Sequence, residues 1–119
     1  MKFIRDYEKI CCNDVLQSVF ELNALDLEIY KILKETGESR IDVLAKKIDR
    51  ERSTTYRSLQ KLISCSLCTK TTKTIETGGY YHAYSCNDTE LVKEKIESCI
   101  DGWYKKMKKI LLDFEQGMN

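Results

Sequence analysis

The chain contains no proline, and its one pair of adjacent glycines is Gly78-Gly79. Because proline and glycine are the residues that most often interrupt regular structure, helical patterns can run long here and one tight turn stands out. The 119 residues are enough to bury a modest core in one compact domain. We therefore expect a fold that is mainly α-helical with one small β-hairpin.

The N-terminal part of the chain is predicted to be helical. Residues 3–22 place apolar side chains at helical spacing from Phe3 and Ile4 onward, which indicates one or two helices. Asn23-Ala24-Leu25-Asp26 matches a capping box, and Gly37 is suited to end the helix that follows. The apolar residues of that helix cover more than one stripe, so we expect it to be the central scaffold.

Two short helices follow closely in the middle of the chain. Asp42 is a good N-cap for a helix whose apolar positions include Val43, and Ser53 and Thr54 introduce a second helix about four residues after the first. The inward positions of this second helix are predicted to be Thr55, Leu59, Leu62 and Ile63. Two short helices with so little chain between them form a helix-turn-helix.

The segment 67–86 is rich in threonine and tyrosine, which favour β-strands. Its two halves flank Glu76-Thr77-Gly78-Gly79, and this pattern predicts a β-hairpin. A helix-turn-helix that leads directly into a two-stranded hairpin makes a winged helix.

A long last helix is predicted to begin after Asn87 or Asp88 and to reach about Glu115. Its apolar residues recur at alternating intervals of four and three, which is the spacing of a heptad seam. The seam consists of Ile96, Ile100, Trp103, Met107, Ile110 and Phe114. We expect these residues to form a dimer interface; the alternative is that they cover the core of their own protomer.

Positive charge is concentrated in one third of the chain. Residues 1–39 have a net charge of −3, residues 40–73 carry nine basic and three acidic side chains for a net +6, and residues 74–119 have −2, which restores the total of +1. Such clustering is typical of proteins that bind nucleic acids, because contacts with phosphates release counterions. The alternative interpretation is an ordinary solvated surface.

The stretch 22–86 contains the motifs LDLEIY at 25–30, IDVLA at 41–45, STTYRSL at 53–59 and GGYY at 78–81 with Tyr84-Ser85. With these motifs the stretch resembles the archaeal TrmB-like and MarR-like transcriptional regulators. The resemblance implies a winged helix-turn-helix with N- and C-terminal dimerisation helices. Its divisions would be an N-terminal dimerisation extension at 1–22, the DNA-binding domain at 23–86 and a C-terminal dimerisation helix at 87–119. Family members usually have glycine where this chain has Ser66, so we expect the second helix of the helix-turn-helix to end differently here.

The first turns of a recognition helix reach the floor of the major groove, so polar and bidentate side chains are needed there. The second helix of the helix-turn-helix is the predicted recognition helix. Its predicted DNA contacts are Arg52, Ser53, Thr54, Tyr56, Arg57 and Lys61. Arg57 is predicted to read guanine, while Arg52, Tyr56 and Lys61 are predicted to touch phosphates. Contacts to the DNA backbone from outside this helix are predicted for Arg50, Lys46, Lys70 and Lys73.

The cysteines allow a further hypothesis. Cys65 and Cys68 have C-x₂-C spacing, and together with Cys86 and His82 they are candidates for holding a metal or sensing oxidants. A single C-x₂-C lacks the second ligand pair of a convincing zinc motif, and the hairpin register decides whether Cys68 and Cys86 share a face. We therefore predict no metal site and no cofactor, with buried thiols as the default.

These observations predict a sequence-specific double-stranded DNA-binding transcriptional regulator that acts as a homodimer. Its partners would be promoter DNA, a second copy of itself and the basal transcription machinery. The alternative is a winged-helix module that binds another protein and not DNA. The sequence has no catalytic motif, no apolar run of membrane-spanning length and no export leader, so we expect a cytoplasmic protein that is not an enzyme.

Overall fold

The computed structural model describes residues 7–117. Phe3 and Ile4, with which the predicted N-terminal helical segment begins, lie outside the described residues. The described chain forms two compact units, the first ending at Asn87 and the second beginning at Asp88.

Five α-helices and one antiparallel hairpin make up the described chain, as the predicted fold class requires. The first unit begins with a short 3-10 turn at Tyr7–Lys9. It continues through α1 (Cys12–Phe20), α2 (Ala24–Thr36), α3 (Ile41–Ile48), α4 (Arg52–Ser64), β1 (Cys68–Thr74) and β2 (Tyr80–Cys86). The second unit contains α5 (Thr89–Glu115).

Helix α2 is the centre of the first unit, as its wide apolar surface predicts. Ile29 and Leu33 of α2 are almost completely buried, and Gly37 ends the helix with a positive φ of 79°. The core also contains buried leucines from α3, from α4 and from the turn before β1: Leu44, Leu59, Leu62 and Leu67. Burying side chains of this size stabilises the fold by about 1.5–3 kcal/mol each, so this cluster holds α2, α3 and α4 together.

The helix-turn-helix is formed by α3 and α4, but its details differ from the prediction. Helix α3 begins at Ile41 with Arg40 as its N-cap, so Asp42 lies inside the first turn and is not the cap. Val43 is 45% exposed, because the buried face of α3 is formed by Ile41, Leu44, Ala45 and Ile48. Helix α4 begins at Arg52, one residue before the predicted start.

The hairpin places its turn where the sequence predicts. Strands β1 and β2 pair antiparallel from Cys68↔Cys86 to Thr74↔Tyr80, and Gly78 and Gly79 both adopt positive φ in the turn. The segment before α3 adds a short third pairing to the hairpin. The Ser39 amide donates to the Tyr84 carbonyl at 2.9 Å, and the Tyr84 amide donates to the Ser39 carbonyl at 2.8 Å. This pairing holds β2 beside the start of α3.

Helix α4 ends in a left-handed residue even though that residue is not glycine. Ser66 has a φ of 63°, the Leu67 amide donates to the Leu62 carbonyl, and the Ser66 amide donates to the Ile63 carbonyl. These two bonds are those of a Schellman motif. The expectation that the helix ends differently was wrong: the usual geometry is kept and Ser66 adopts the strained conformation.

Replacing Ser66 by glycine is expected to stabilise the protein by about 1 kcal/mol, because glycine adopts positive φ without the clash that a Cβ atom creates. Urea unfolding measures the change. The matched control is Ser64→Gly, inside the last turn of α4, which is expected to destabilise by about 0.5–1 kcal/mol. Equal destabilisation by both changes would contradict the assignment of strain to Ser66.

Candidate nucleic-acid interface

An open groove of about 730 Å³ lies in the first unit, between the beginnings of α3 and α4 on one side and strand β2 on the other. Its lining consists of Arg40, Ile41, Asp42, Arg52, Ser53, Tyr56, Arg57, Tyr80, Tyr81, His82 and Tyr84. Three arginines face one aspartate, so the lining has a net charge of +2 with histidine neutral. The groove is therefore cationic and aromatic, a combination suited to phosphates and bases.

The buried stripe of α4 determines which side chains reach the groove. Thr55, Ser58, Leu59 and Leu62 are buried at helical spacing against the core. Because residues between these positions point away from the core, Arg52, Ser53 and Arg57 are exposed. Tyr56 is 46% exposed, so it lines the groove and is not a core residue. Thr54 is only half-buried and does not line the groove.

Two of the three arginines are held by neighbouring side chains. Arg52 Nη1 lies 3.5 Å from Asp42 Oδ1, and the Arg40 guanidinium lies 4.5 Å from the centre of the Tyr81 ring. The Arg52 pair is exposed, so it contributes little to stability, but it orients the guanidinium beside α3. Arg57 has no ion-pair partner within residues 7–117, which leaves its five donors available to a ligand.

Tyrosines form the wall of the groove on the strand side. Tyr84 is buried at the back, where burial and the nearby Tyr56 hydroxyl raise its pKa although Arg52 acts in the opposite direction. Tyr80 and His82 meet edge to face with ring centres 5.6 Å apart. Tyr84 is therefore a neutral phenol at the back of the groove.

A buried carboxylate holds α4 in place. Asp26 is 1% exposed; its Oδ1 accepts a hydrogen bond from Ser58 Oγ at 2.5 Å, and its Oδ2 lies 2.9 Å from Lys61 Nζ. The same Oδ2 accepts the Asn23 amide at 3.0 Å in the capping box of α2. Burial opposes ionisation of Asp26, but the hydrogen bonds from Ser58, Asn23 and Lys61 hold its pKa below the usual 3.8.

This carboxylate changes the interpretation of Lys61. The sequence predicts that Lys61 touches a phosphate, but the structure places its ammonium group against Asp26, and Lys61 does not line the groove. Lys61 therefore holds α4 from its inner side. Nothing in the sequence pattern except the capping box pointed to Asp26, and the capping box does not reveal the partners on α4.

The basic residues predicted outside the recognition helix are not gathered at the groove. Lys73 Nζ lies 2.7 Å from Glu38 Oε1, and this hydrogen bond raises the pKa of Lys73. Lys70 is exposed three residues earlier on β1, and alternation along the strand puts the two lysines on opposite faces. Lys46 on α3 and Arg50 in the following turn are exposed but do not line the groove.

Sequence reasoning missed Arg40 and the β2 residues Tyr80, Tyr81, His82 and Tyr84 as parts of the site. Their placement depends on the hairpin register and on the pairing between Ser39 and Tyr84. The signal that leads to these residues is an extended segment before α3 that pairs with the hairpin, and this pairing is a contact between distant parts of the chain.

The candidate metal ligands do not form a metal site in the described part of the chain. Cys68 and Cys86 are cross-strand partners, whereas the Cys65 thiol donates to the Phe20 carbonyl at 3.7 Å. No group of three or more metal-ligating side chains comes together in residues 7–117. Over the same residues, no helix has both the length and the apolar character needed to cross a membrane.

Comparison with known proteins agrees with this geometry. Residues 16–90 match the family model described as "Sugar-specific transcriptional regulator TrmB". An uncharacterized protein of Methanocaldococcus jannaschii, MJ1082, is 29% identical over 113 residues, which cover 95% of this chain and 93% of that protein. The family and fold are those of transcriptional regulators, not of enzymes.

Solved structures share the fold. A possible transcriptional regulator from Methanosarcina mazei superposes with a TM-score of 0.78 at 22% identity, covering 87% of this chain and 88% of that one. A MarR family transcriptional regulator from Silicibacter pomeroyi superposes with a TM-score of 0.54 at 16% identity, covering 85% of this chain and 73% of that one. The predicted winged helix-turn-helix and its resemblance to archaeal TrmB-like and MarR-like regulators are confirmed.

The Asp26 contacts predict an acid-sensitive link between α2 and α4. Asp26→Asn is expected to destabilise the protein by about 2–3 kcal/mol at neutral pH, because the charge-assisted bonds to Ser58 and Lys61 weaken. Since the folded-state pKa is lowered, this contribution is present above about pH 4 and is lost as the pH falls through the folded-state value.

Urea unfolding of the wild type and Asp26→Asn at several pH values measures the difference. The two stability curves are expected to converge below pH 4. A difference that stays constant down to strongly acidic pH would contradict the ionised state of Asp26.

Proposed function

The chain belongs to the TrmB family of transcriptional regulators, and from the groove on its surface we propose that it binds double-stranded promoter DNA sequence-specifically as a homodimer. The observation that carries the proposal is the convergence of Arg52, Ser53 and Arg57 with a tyrosine-lined strand on one cationic groove.

Helix α4 has the features of a recognition helix. The exposed side chains that line the groove lie in the first two turns of this helix, which are the turns that approach base edges in the major groove. Arg57 is the proposed reader of guanine, because a guanidinium donates two parallel bonds to the O6 and N7 acceptors of that base. Ser53 and the half-buried Thr54 are proposed as further base contacts.

Phosphate contacts are proposed for the residues that frame the groove. Arg52 is oriented by Asp42, and the half-exposed Tyr56 presents a hydroxyl on the same side. Lys70 on β1 and Lys46 and Arg50 beside the recognition helix are exposed and extend the positive surface. Lys73 contributes less than Lys70, because Glu38 already neutralises its charge.

Dimerisation is proposed to use α5. The helix has 27 residues, so it is about 40 Å long, and seam residues Ile100, Trp103, Ile110 and Phe114 are 38–60% exposed. A stripe of apolar side chains of this length is unfavourable in water and is covered when two copies pair along their heptads. The remaining seam residues are Ile96 and Met107, which are half-buried.

A two-fold dimer presents two recognition helices about 34 Å apart, which matches one turn of DNA and requires a pseudo-palindromic site. Occupying a promoter in this way blocks polymerase when the site lies downstream, and it allows contact with the basal transcription machinery when the site lies upstream. The position of the site on DNA thus decides between repression and activation.

Selection of bound duplexes from a random pool, using the full chain, tests the proposal. We expect enrichment of a pseudo-palindrome whose half-sites are one helical turn apart. Affinity for the selected duplex is expected to fall by orders of magnitude between about 50 and 200 mM salt, because several phosphate contacts release counterions. Absence of any duplex binding at low salt would support the alternative, a winged-helix module that docks another protein.

Arg57→Ala is expected to cost roughly 1–3 kcal/mol on the selected duplex and to relax the preference at one base pair in each half-site. Binding to the selected duplex and to its single-base variants, measured by fluorescence anisotropy, detects both effects. Lys70→Ala is the comparison for a phosphate contact and is expected to weaken all duplexes by the same factor, while Lys31→Ala on α2 is expected to change nothing. A uniform loss for Arg57→Ala would refute its role as a base reader.

Trp103→Glu is expected to convert the dimer into a monomer, because a carboxylate on the seam cannot be desolvated against an apolar partner. Light scattering gives the mass directly. Ser98→Glu is the matched control, since it adds the same charge on the opposite side of the helix, and we expect it to remain dimeric. An unchanged dimer mass for Trp103→Glu would place the interface elsewhere.

A further inference from the structure

Two cysteines at the base of the hairpin have no part in the proposed DNA surface. Cys68 begins β1, Cys86 ends β2, and the two residues are direct cross-strand partners. Next to them the Asn87 amide donates to the Leu67 carbonyl at 2.9 Å. At the other end of the ladder, the Ile75 amide donates to the Gly79 carbonyl at 3.1 Å, beyond the Thr74↔Tyr80 pair.

These bonds establish the type of the cysteine pair. Hydrogen-bonded and non-hydrogen-bonded pairs alternate along an antiparallel ladder. One of these bonds joins the pair next to Cys68↔Cys86, and the other joins the pair next to Thr74↔Tyr80. Cys68 and Cys86 therefore form a non-hydrogen-bonded pair, in which the side chains approach most closely and the Cα atoms are about 4.5 Å apart. Disulfides span Cα distances of about 4.4–6.8 Å, so the folded hairpin already has a compatible spacing.

The two thiols have different environments. Cys68 is 2% exposed, whereas Cys86 is half-buried and its thiol donates to the Tyr30 carbonyl at 3.6 Å. A hydrogen bond from the Cys68 thiol, together with the charge of Lys34, lowers the pKa of Cys86. The same hydrogen bond and burial raise the pKa of Cys68. Cys86 is thus the more exposed and the more readily ionised of the two thiols, and Cys68 stays protonated beside it.

We propose that Cys68 and Cys86 form a reversible disulfide when the protein meets a hydroperoxide. The Cys86 thiolate attacks the peroxide, so that an S–O bond forms, the O–O bond breaks and hydroxide (or the alcohol's anion) leaves. The Cys68 sulfur then attacks the Cys86 sulfenic acid, the S–S bond forms, and the thiol proton leaves with the displaced hydroxyl as water. Two electrons pass from the sulfurs to the peroxide, and a dithiol reverses the reaction by exchange.

The site follows from the strand register and not from the C-x₂-C spacing. The Cys65 thiol points to the Phe20 carbonyl, 3.7 Å away, while Cys11, Cys12 and Cys99 are exposed elsewhere. A bond between Cys68 and Cys86 closes the hairpin at its base. The tip and the groove-lining tyrosines keep the same cross-strand partners. Because the bond restricts the unfolded chain, oxidation is expected to raise the unfolding midpoint by on the order of 10 °C.

The test uses the full chain with Cys11, Cys12, Cys65 and Cys99 replaced by serine, and the wild type alongside it. After treatment with hydrogen peroxide, the intact mass is expected to fall by two hydrogen atoms and to recover with dithiothreitol. Peptide mapping of both proteins is expected to join the Cys68 and Cys86 peptides. In the same background, Cys68→Ser is expected to gain one oxygen at Cys86, trapped as a dimedone adduct, because no second thiol can displace the hydroxyl.

Three results would overturn the proposal. One is oxidation of Cys86 to the sulfinic acid with Cys68 still present and reduced. Another is joining of Cys68 or Cys86 to a different cysteine in the wild type under non-denaturing conditions. The third is a joined pair that unfolds at a lower temperature than the reduced protein, since the folded hairpin would then not accommodate the bond. The mass measurement does not involve DNA, so its outcome is separate from that of the proposed function.

Discussion

The carboxylate of Asp26 connects the scaffold helix with the helix that faces the groove. One oxygen accepts a hydrogen bond from the Ser58 hydroxyl, and the other accepts from the Asn23 amide and pairs with the Lys61 ammonium. A single buried group therefore takes part in the cap of α2 and holds the inner side of α4. A buried carboxylate is costly unless it is fully bonded, and this cost limits how far α4 can rotate or slide. The direction of Arg52, Ser53 and Arg57 depends on that constraint.

The rest of the site depends on a second, weaker constraint, the pairing of Ser39 with Tyr84. Two backbone hydrogen bonds hold strand β2 against the segment that leads into α3, and this places the tyrosine wall opposite the arginines. The groove is therefore assembled from three separate parts of the chain: the start of α3 and strand β2, which this pairing joins, and α4, which Asp26 holds. Its positive charge comes from Arg40, Arg52 and Arg57, whereas the five lysines of residues 40–73 do not line it, and two of them, Lys61 and Lys73, form ion pairs.

The fold was largely predictable from local patterns. The capping box at Asn23, the glycine pair at the hairpin tip and the heptad spacing of α5 are short-range signals, and each corresponds to an element of the structure. The site was only partly predictable, because it depends on contacts between residues far apart in sequence. Periodicity identifies which side of α4 is polar, but it does not show that Lys61 faces Asp26 or that Lys73 faces Glu38. Strand register, which brings Cys68 beside Cys86, is likewise set by tertiary packing.

Backbone amide chemical shifts of the full chain, recorded with and without the selected duplex, test the central claim most directly. If the groove holds DNA, the largest changes fall on residues 52–57 and 80–84, and they diminish as salt is raised. Amides on the outer side of α2, such as that of Lys31, stay unchanged. Saturable binding with the largest changes confined to residues outside the groove would contradict the account.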